Sequence, residues 1–198
     1  MAENIYYNMI ENYMYLLHTD TYIAIPVYPE SITDSMPVQF SNSTPLMRSA
    51  PIYSYNSSGP RSLSITLKLH RDLMNEVNQS NTSIKPDEGD DYTDLLIKQI
   101  QSATVPKYSP SDKMVSPPVV ALRFGSQIFC KGVINSTLGV TYSMPIVKTK
   151  SGDKYAVVTI DFIIFEIDPY DASTISKEGS FRGLSKTLER RIESSRGY

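Results

Sequence analysis

The clearest regularity in the chain is the stretch RSLSITLKLH, residues 61–70. In it Leu63, Ile65, Leu67 and Leu69 alternate with Ser62, Ser64, Thr66, Lys68 and His70. Successive side chains of a strand point to opposite faces, so this pattern predicts a strand with one apolar face on a core and one wet face. Upstream, YMYLLHTDTYIAIPVYP predicts two short strands around the turn His18 to Asp20. Pro26 and Pro29 hold the second of them at an edge or a strand end. Glu30 to Pro60 is rich in Ser, Asn and Pro and predicts a loop. Within it YNSSGPR predicts a turn, because Gly59 tolerates positive φ and Pro60 restricts the next φ.

Downstream, RDLMNEVNQ predicts a helical turn and residues 79–90 a polar loop insertion. A helix is predicted over 91–102, where Tyr92, Leu95, Leu96 and Ile100 fall at helical spacing and Asp90 or Asp91 can cap the first turn. TVPKYSPSDKMVSPP is an irregular connector, since its prolines exclude a helix or a central strand. VVALRFGSQIFCKGVI predicts a hairpin with a two-residue turn at Gly125-Ser126, and STLGVTYSMPI points Leu138, Val140 and Tyr142 inward. A turn at Ser151 to Asp153 precedes the longest strand, which is apolar on both faces over Ile163 to Phe165 and so is expected to be covered on both. Residues 176–198 are polar. Leu184, Leu188 and Ile192 make a helical stripe there that is too narrow to fold alone and is expected to dock or fray.

The fold class that follows is mainly β, built from antiparallel meanders, with one flanking α-helix. Tyrosine is abundant at 14 and tryptophan absent, which suits β structure with extensive interfaces. Lys plus Arg is 19 against 21 Asp plus Glu, so no basic field draws the chain onto nucleic acid. The lone cysteine, Cys130, excludes an internal disulfide and is expected in the core. No apolar run approaches the roughly 18 residues of a membrane span. The N-terminal MAENIYYNMIENYMYLL carries acids instead of a basic leader region, so a soluble, unprocessed chain is expected.

Chemistry is sparse. His18 and His70 lack a nucleophile or metal-ligand spacing around them, and PDEGDD lacks the register of a calcium loop. No glycine loop has the strand-to-helix setting of a nucleotide site. Asp161, Glu166 and Asp168 crowd the end of one strand but read as structural. Lys186, Arg190, Arg191 and Arg196 make a local basic face, interleaved with Glu189 and Glu193, that suits a protein contact. The expectation is a non-enzyme with no catalytic residue, metal or cofactor.

IPVYPESITDS, RSAPIYSYNSSGPRSLSITLKLHRDL, VPKYS with SPPVVALRFG, KGVINS, VTYSMPI and VTIDFIIFEIDPYDAS occur in this order. Over residues 14–175 this ordered set resembles the tube-like domain of contractile-tail baseplate proteins of phages and related injection machines. The resemblance implies a tail-tube-like β-barrel or split barrel over residues 1–175. It also implies a homo-oligomeric ring, six-fold by analogy with tubes, that joins the central hub to the tail tube. Baseplate hub and tail-tube proteins are the implied partners, DNA passes only as lumen cargo, and no membrane is involved. The implied location is the virion, after assembly in the host cytoplasm. The motif and assembly candidates it marks are Arg48, Ser49, Pro51, Tyr53, Arg61, His70, Tyr142, Pro145, Asp168, Pro169 and Tyr170. Family members often carry a LysM module after this domain; the short tail after Asp171 leaves no room for one, so peptidoglycan binding is not carried over. The alternative expectation is a cell-wall- or carbohydrate-binding β module that uses tyrosines as sugar platforms.

Overall fold

A computed structural model describes residues 12–76, 91–109, 114–168, 171–173 and 186–195. The calls on residues 79–90, Pro169, Tyr170, Leu184 and Arg196 lie outside the described residues. The described chain is mainly β with antiparallel sheets and flanking helices, as its alternation predicts. Its principal sheet has eight strands. The chain enters through β1 (Asn12–Leu16) and β2 (Thr21–Ala24), a hairpin whose turn includes Asp20 at φ 56. Then come β3 (Ser31–Ser35), an outlying pair β4 (Val38–Ser43) and β5 (Ile52–Ser58), and the alternating strand β6 (Ser62–His70). Two helices follow, α1 (Arg71–Glu76) and α2 (Tyr92–Ser102). A short ribbon of β7 (Lys107–Ser109) and β8 (Met114–Ser116) leads to β9 (Val119–Phe124), β10 (Ile128–Ile134), β11 (Gly139–Thr149) and β12 (Gly152–Glu166). A last helix, α3, spans Lys186–Ser195.

The order across the large sheet is β2-β1-β9-β10-β12-β6-β3, with β11 also on β12. β12 is the hub. One edge pairs with β6 from Val157 to Phe165, while the other pairs with β11 up to Asp161 and then with β10 from Ile164. At that handover the ladder is kept by Ser136, whose Oγ accepts the Ile163 N–H at 3.1 Å. Gly132 is required nearby, because a Cβ there would lie 2.1 Å from the Phe165 carbonyl oxygen. Among the described residues the sheet does not close into a barrel: β2 and β3 end the path unjoined. It is instead an open sheet with its main core on one face and a smaller cluster on the other.

The main core is one apolar cluster. Leu63, Ile65, Leu67 and Leu69 meet Val158, Ile160, Phe162 and Ile164 of β12, inward residues of β1, β2 and β9, and the buried face of α2. Asp91 caps α2 by accepting the Thr93 N–H at 3.0 Å. Cys130 is buried in this cluster. On the opposite face of the β1–β2–β9 corner, Tyr13, Tyr15, Tyr22 and Ala121 are covered by Ile192 of α3. The narrow C-terminal stripe thus docks on the chain's own sheet, where one isoleucine meets three tyrosines. β1 is buried on both faces for this reason.

Several local expectations are corrected. The stretch from Glu30 to Pro60 contains three strands, and Tyr55 to Ser58 continue β5 instead of turning. The proline-rich connector holds β7 and β8, short enough to fit between its prolines. Gly125 has the expected positive φ of 57, but Phe124 pairs with Ile128, so the loop has three residues. Thr149 pairs with Gly152, which puts the β11–β12 turn at Lys150-Ser151. Tyr142 is exposed, not inward, and Ile163 and Phe165 are only half-buried, so β12 is fully covered on one face.

Candidate functional site

Two buried arginines bracket β6, and each roots a projecting ribbon. Arg61, wholly buried, immediately precedes the strand. Its Nε and Nη2 donate to both carboxylate oxygens of Asp34 at 2.8 and 2.9 Å. Its Nη1 donates to Glu166 Oε2 at 3.2 Å and to the Phe129 carbonyl at 3.0 Å. Burial opposes the guanidinium charge, but the hydrogen bonds of Asp34 and the charges of Glu166 and Asp34 more than offset it, so the pKa is raised. Asp34 lies on β3 just before the β4–β5 pair and Arg61 just after it, so the bidentate bond clamps the two chains where that pair leaves the sheet. The Gly59 N–H reinforces this root by donating to the Pro37 carbonyl at 2.9 Å.

Arg71 immediately follows β6 and is equally buried. Its Nη1 bridges Asp91 and Asp94 of the α2 N-terminus, and its Nε donates to the Tyr155 carbonyl at 2.9 Å. Lys154 of β12 pairs with Asp94. This network fixes α1 and α2 to the point where the β11–β12 hairpin runs past the end of β6, since Val157 is already opposite His70. At about 3.3 Å per strand residue the two clamps stand roughly 30 Å apart.

The ribbon rooted at Arg61 is two-faced. Register puts Phe40 opposite Tyr55 and Asn42 opposite Tyr53 on one face, with Ser41 opposite Ser54 on the other. Phe40 and Tyr55 meet edge-on, ring centroids 5.6 Å apart. Val38, Phe40, Tyr53 and Tyr55 are 54, 58, 65 and 59% exposed, and no residue of β4 or β5 is buried. The ribbon rooted at Arg71 exposes Tyr142, Met144, Ile146 and Tyr155, with the two tyrosine rings 6.0 Å apart. Its register shifts between Ser143 and Ile146, at Pro145, which has no N–H to give to the ladder.

The sequence candidates therefore divide between two ends. Arg48, Ser49, Pro51 and Tyr53 lie together on the first ribbon, with Arg61 at its root. His70, Tyr142 and Pro145 lie at the second, His70 exposed on the wet face of β6. Asp168, exposed, pairs with Lys131 at 3.4 Å near the first end. His18 sits in the β1–β2 turn, and Asp161 accepts from Thr66 Oγ1 at 2.7 Å across the β6–β12 pair. Among the described residues no group of three His, Cys, Asp or Glu side chains is placed to hold a metal ion, and no helix is long and apolar enough to cross a membrane. Missed by sequence reasoning were Phe40 and Tyr55, the buried Arg71, and the acid partners Asp34 and Asp94; Asp91 was expected only as a cap, not as a partner of Arg71. The alternation of Val38 with Phe40 and of Tyr53 with Tyr55 was a usable signal inside the serine-rich stretch.

No protein-family model matches the chain, and no curated protein is significantly similar to it.

Proposed function

We propose that this chain is a structural virion protein of a contractile tail, a baseplate or tail-tube-base component that forms a ring between the central hub and the tube. The observation that carries the reading is the pair of exposed apolar ribbons rooted in buried clamps at opposite ends of one strand. A two-stranded ribbon gains little stability alone in water, and an apolar face held rigidly in solvent is a surface for a partner. The unjoined edges β2 and β3 add a second reason, since open sheet edges are aggregation hazards unless neighbours pair or cover them. The role is architectural and non-enzymatic, with hub and tube proteins above and below the ring.

The phage assignment itself rests on the resemblance of the ordered motifs. The rival reading, a carbohydrate-binding module, draws on Tyr53 and Tyr55 sharing a face with Phe40. The Tyr55 hydroxyl there is already paired with Ser58 Oγ at 2.7 Å and Asn42 stands opposite Tyr53, a sparse set of free donors for sugar hydroxyls. Native mass spectrometry and electron microscopy of the purified protein test the proposal: open-centred rings are expected. A strict monomer that also fails to join tail particles overturns it, and pelleting with peptidoglycan favours the rival.

A further inference from the structure

We infer that the tip of the β4–β5 ribbon enters the interfacial layer of an anionic lipid bilayer. The loop from Thr44 to Pro51 joins the last pair of the ribbon, Ser43 and Ile52. At its turn the Arg48 N–H donates to the Pro45 carbonyl at 3.2 Å, which makes Leu46 and Met47 the two central residues. Both are wholly exposed, and Met47 has φ 68. A turn with positive φ at its second central residue ordinarily takes Gly or Asn there. Here a methionine is held in the left-handed region with a leucine beside it in water. The turn thus carries backbone strain and apolar exposure that nothing among the described residues offsets.

The occupant is a bilayer surface because charge, backbone and layering all match it. From Val38 to Ser58 the only charged residue is Arg48, next to the apolar pair, although the whole chain has a net charge of −2. An anionic headgroup layer therefore meets a guanidinium and no carboxylate. Pro45 and Pro51 have no N–H, and the Arg48 N–H is already bonded, so few donors of the loop lose water on entry. Along the ribbon, leucine and methionine stand at the tip, Tyr53, Tyr55 and Phe40 share one face behind them, and the ion pair of Arg61 with Asp34 lies at the root. Apolar side chains at depth, aromatic rings at headgroup level and ions beyond them follow the layers of a membrane interface. This contact uses the tip alone, is independent of the ring reading, and departs from the absence of membrane contact that the resemblance implies.

The test uses the full chain with vesicles in excess. Wild-type protein is expected to float with vesicles of equal parts phosphatidylcholine and phosphatidylglycerol. Leu46→Ser/Met47→Ser is expected to lower the partition coefficient at least about tenfold, with unchanged circular dichroism and melting, since two apolar side chains are lost from the inserted part. Arg48→Gln is expected to lower it several-fold on these vesicles and to leave it unchanged on pure phosphatidylcholine. Tryptophan is absent from the chain, so Leu46→Trp is a sole reporter whose emission is expected to shift to the blue when vesicles are added. Wild-type protein that stays in the aqueous fraction, a reporter that does not shift, or a serine variant that floats as wild type does overturns the proposal. Rings seen by electron microscopy alongside any of these failures leave the ring reading standing, and a monomer that floats through its tip removes that reading alone.

Discussion

Strand β6 and the β4–β5 ribbon have the same alternation and opposite fates. In β6 the apolar positions Leu63, Ile65, Leu67 and Leu69 are 0–1% exposed, whereas Val38, Phe40, Tyr53 and Tyr55 in the ribbon are 54–65% exposed. Period two makes a strand and sorts its side chains onto two faces, but it does not say what covers the apolar face. For β6 the cover is the rest of the sheet and α2. Among the described residues nothing covers the ribbon, which is why β6 is core and the ribbon is the surface proposed for a partner.

The sharpest way to break the comparison is Ile65→Asp. A carboxylate without a partner in the main cluster is expected to cost more than about 4 kcal/mol, enough to abolish a cooperative melting transition and ring assembly with it. Rings formed by this variant would refute the inward assignment of β6. Next is Arg61→Ala, which strands the buried Glu166 and releases Asp34 at the root of the ribbon. A loss of about 3–5 kcal/mol is expected in chemical denaturation, and Arg61→Lys restores only part, since an ammonium cannot make the bidentate bond.

Ile192→Ala removes the one buried anchor of α3 and is expected to cost about 2 kcal/mol, read as faster amide exchange in α3 and at Tyr13 to Tyr22. The same docking weakens in acid. The Tyr15 hydroxyl and the Arg191 guanidinium hold the Asp20 carboxyl below its ordinary range. At Asp94 burial pushes the other way, but bonds from Lys154 and Arg71 prevail and the pKa is again lowered. A lowered carboxyl pKa contributes stability that is present above the unfolded value near 4 and is lost as pH falls through the folded value. The protection factors of amides in α3 and at the α2 N-terminus, with the intrinsic pH dependence of exchange divided out, are therefore expected to fall as pH drops below about 4 and to be flat from there to neutrality. Smallest of all is Phe40→Ser/Tyr55→Ser, expected to leave the melting of the dispersed monomer within about 0.5 kcal/mol of wild type. A large destabilisation there would show that the ribbon packs on its own chain and would erase the contrast with β6.

Much of the frame was legible from residue order. The faces of β6, the helix capped by Asp91, the β9–β10 and β11–β12 hairpins and the positive φ at Gly125 all follow from side-chain period and turn chemistry, which act over a few residues, whereas the expected meander is broken because β10 pairs with β12 instead of β11. The strands hidden between Glu30 and Pro60 were obscured because Ser and Asn favour turns locally, and cross-strand pairing with β6 overrides that preference for β3. Arg61 could be seen as an anchor, but not its partners: Asp34 and Glu166 are distant in sequence and meet it only when β3, β10 and β12 assemble around it. Local order along the chain determined which residues alternate, cap and turn. Tertiary structure alone decided which apolar face is buried, where the two arginine clamps stand and which ribbons are left uncovered, because burial and ion pairing depend on what the rest of the chain brings near.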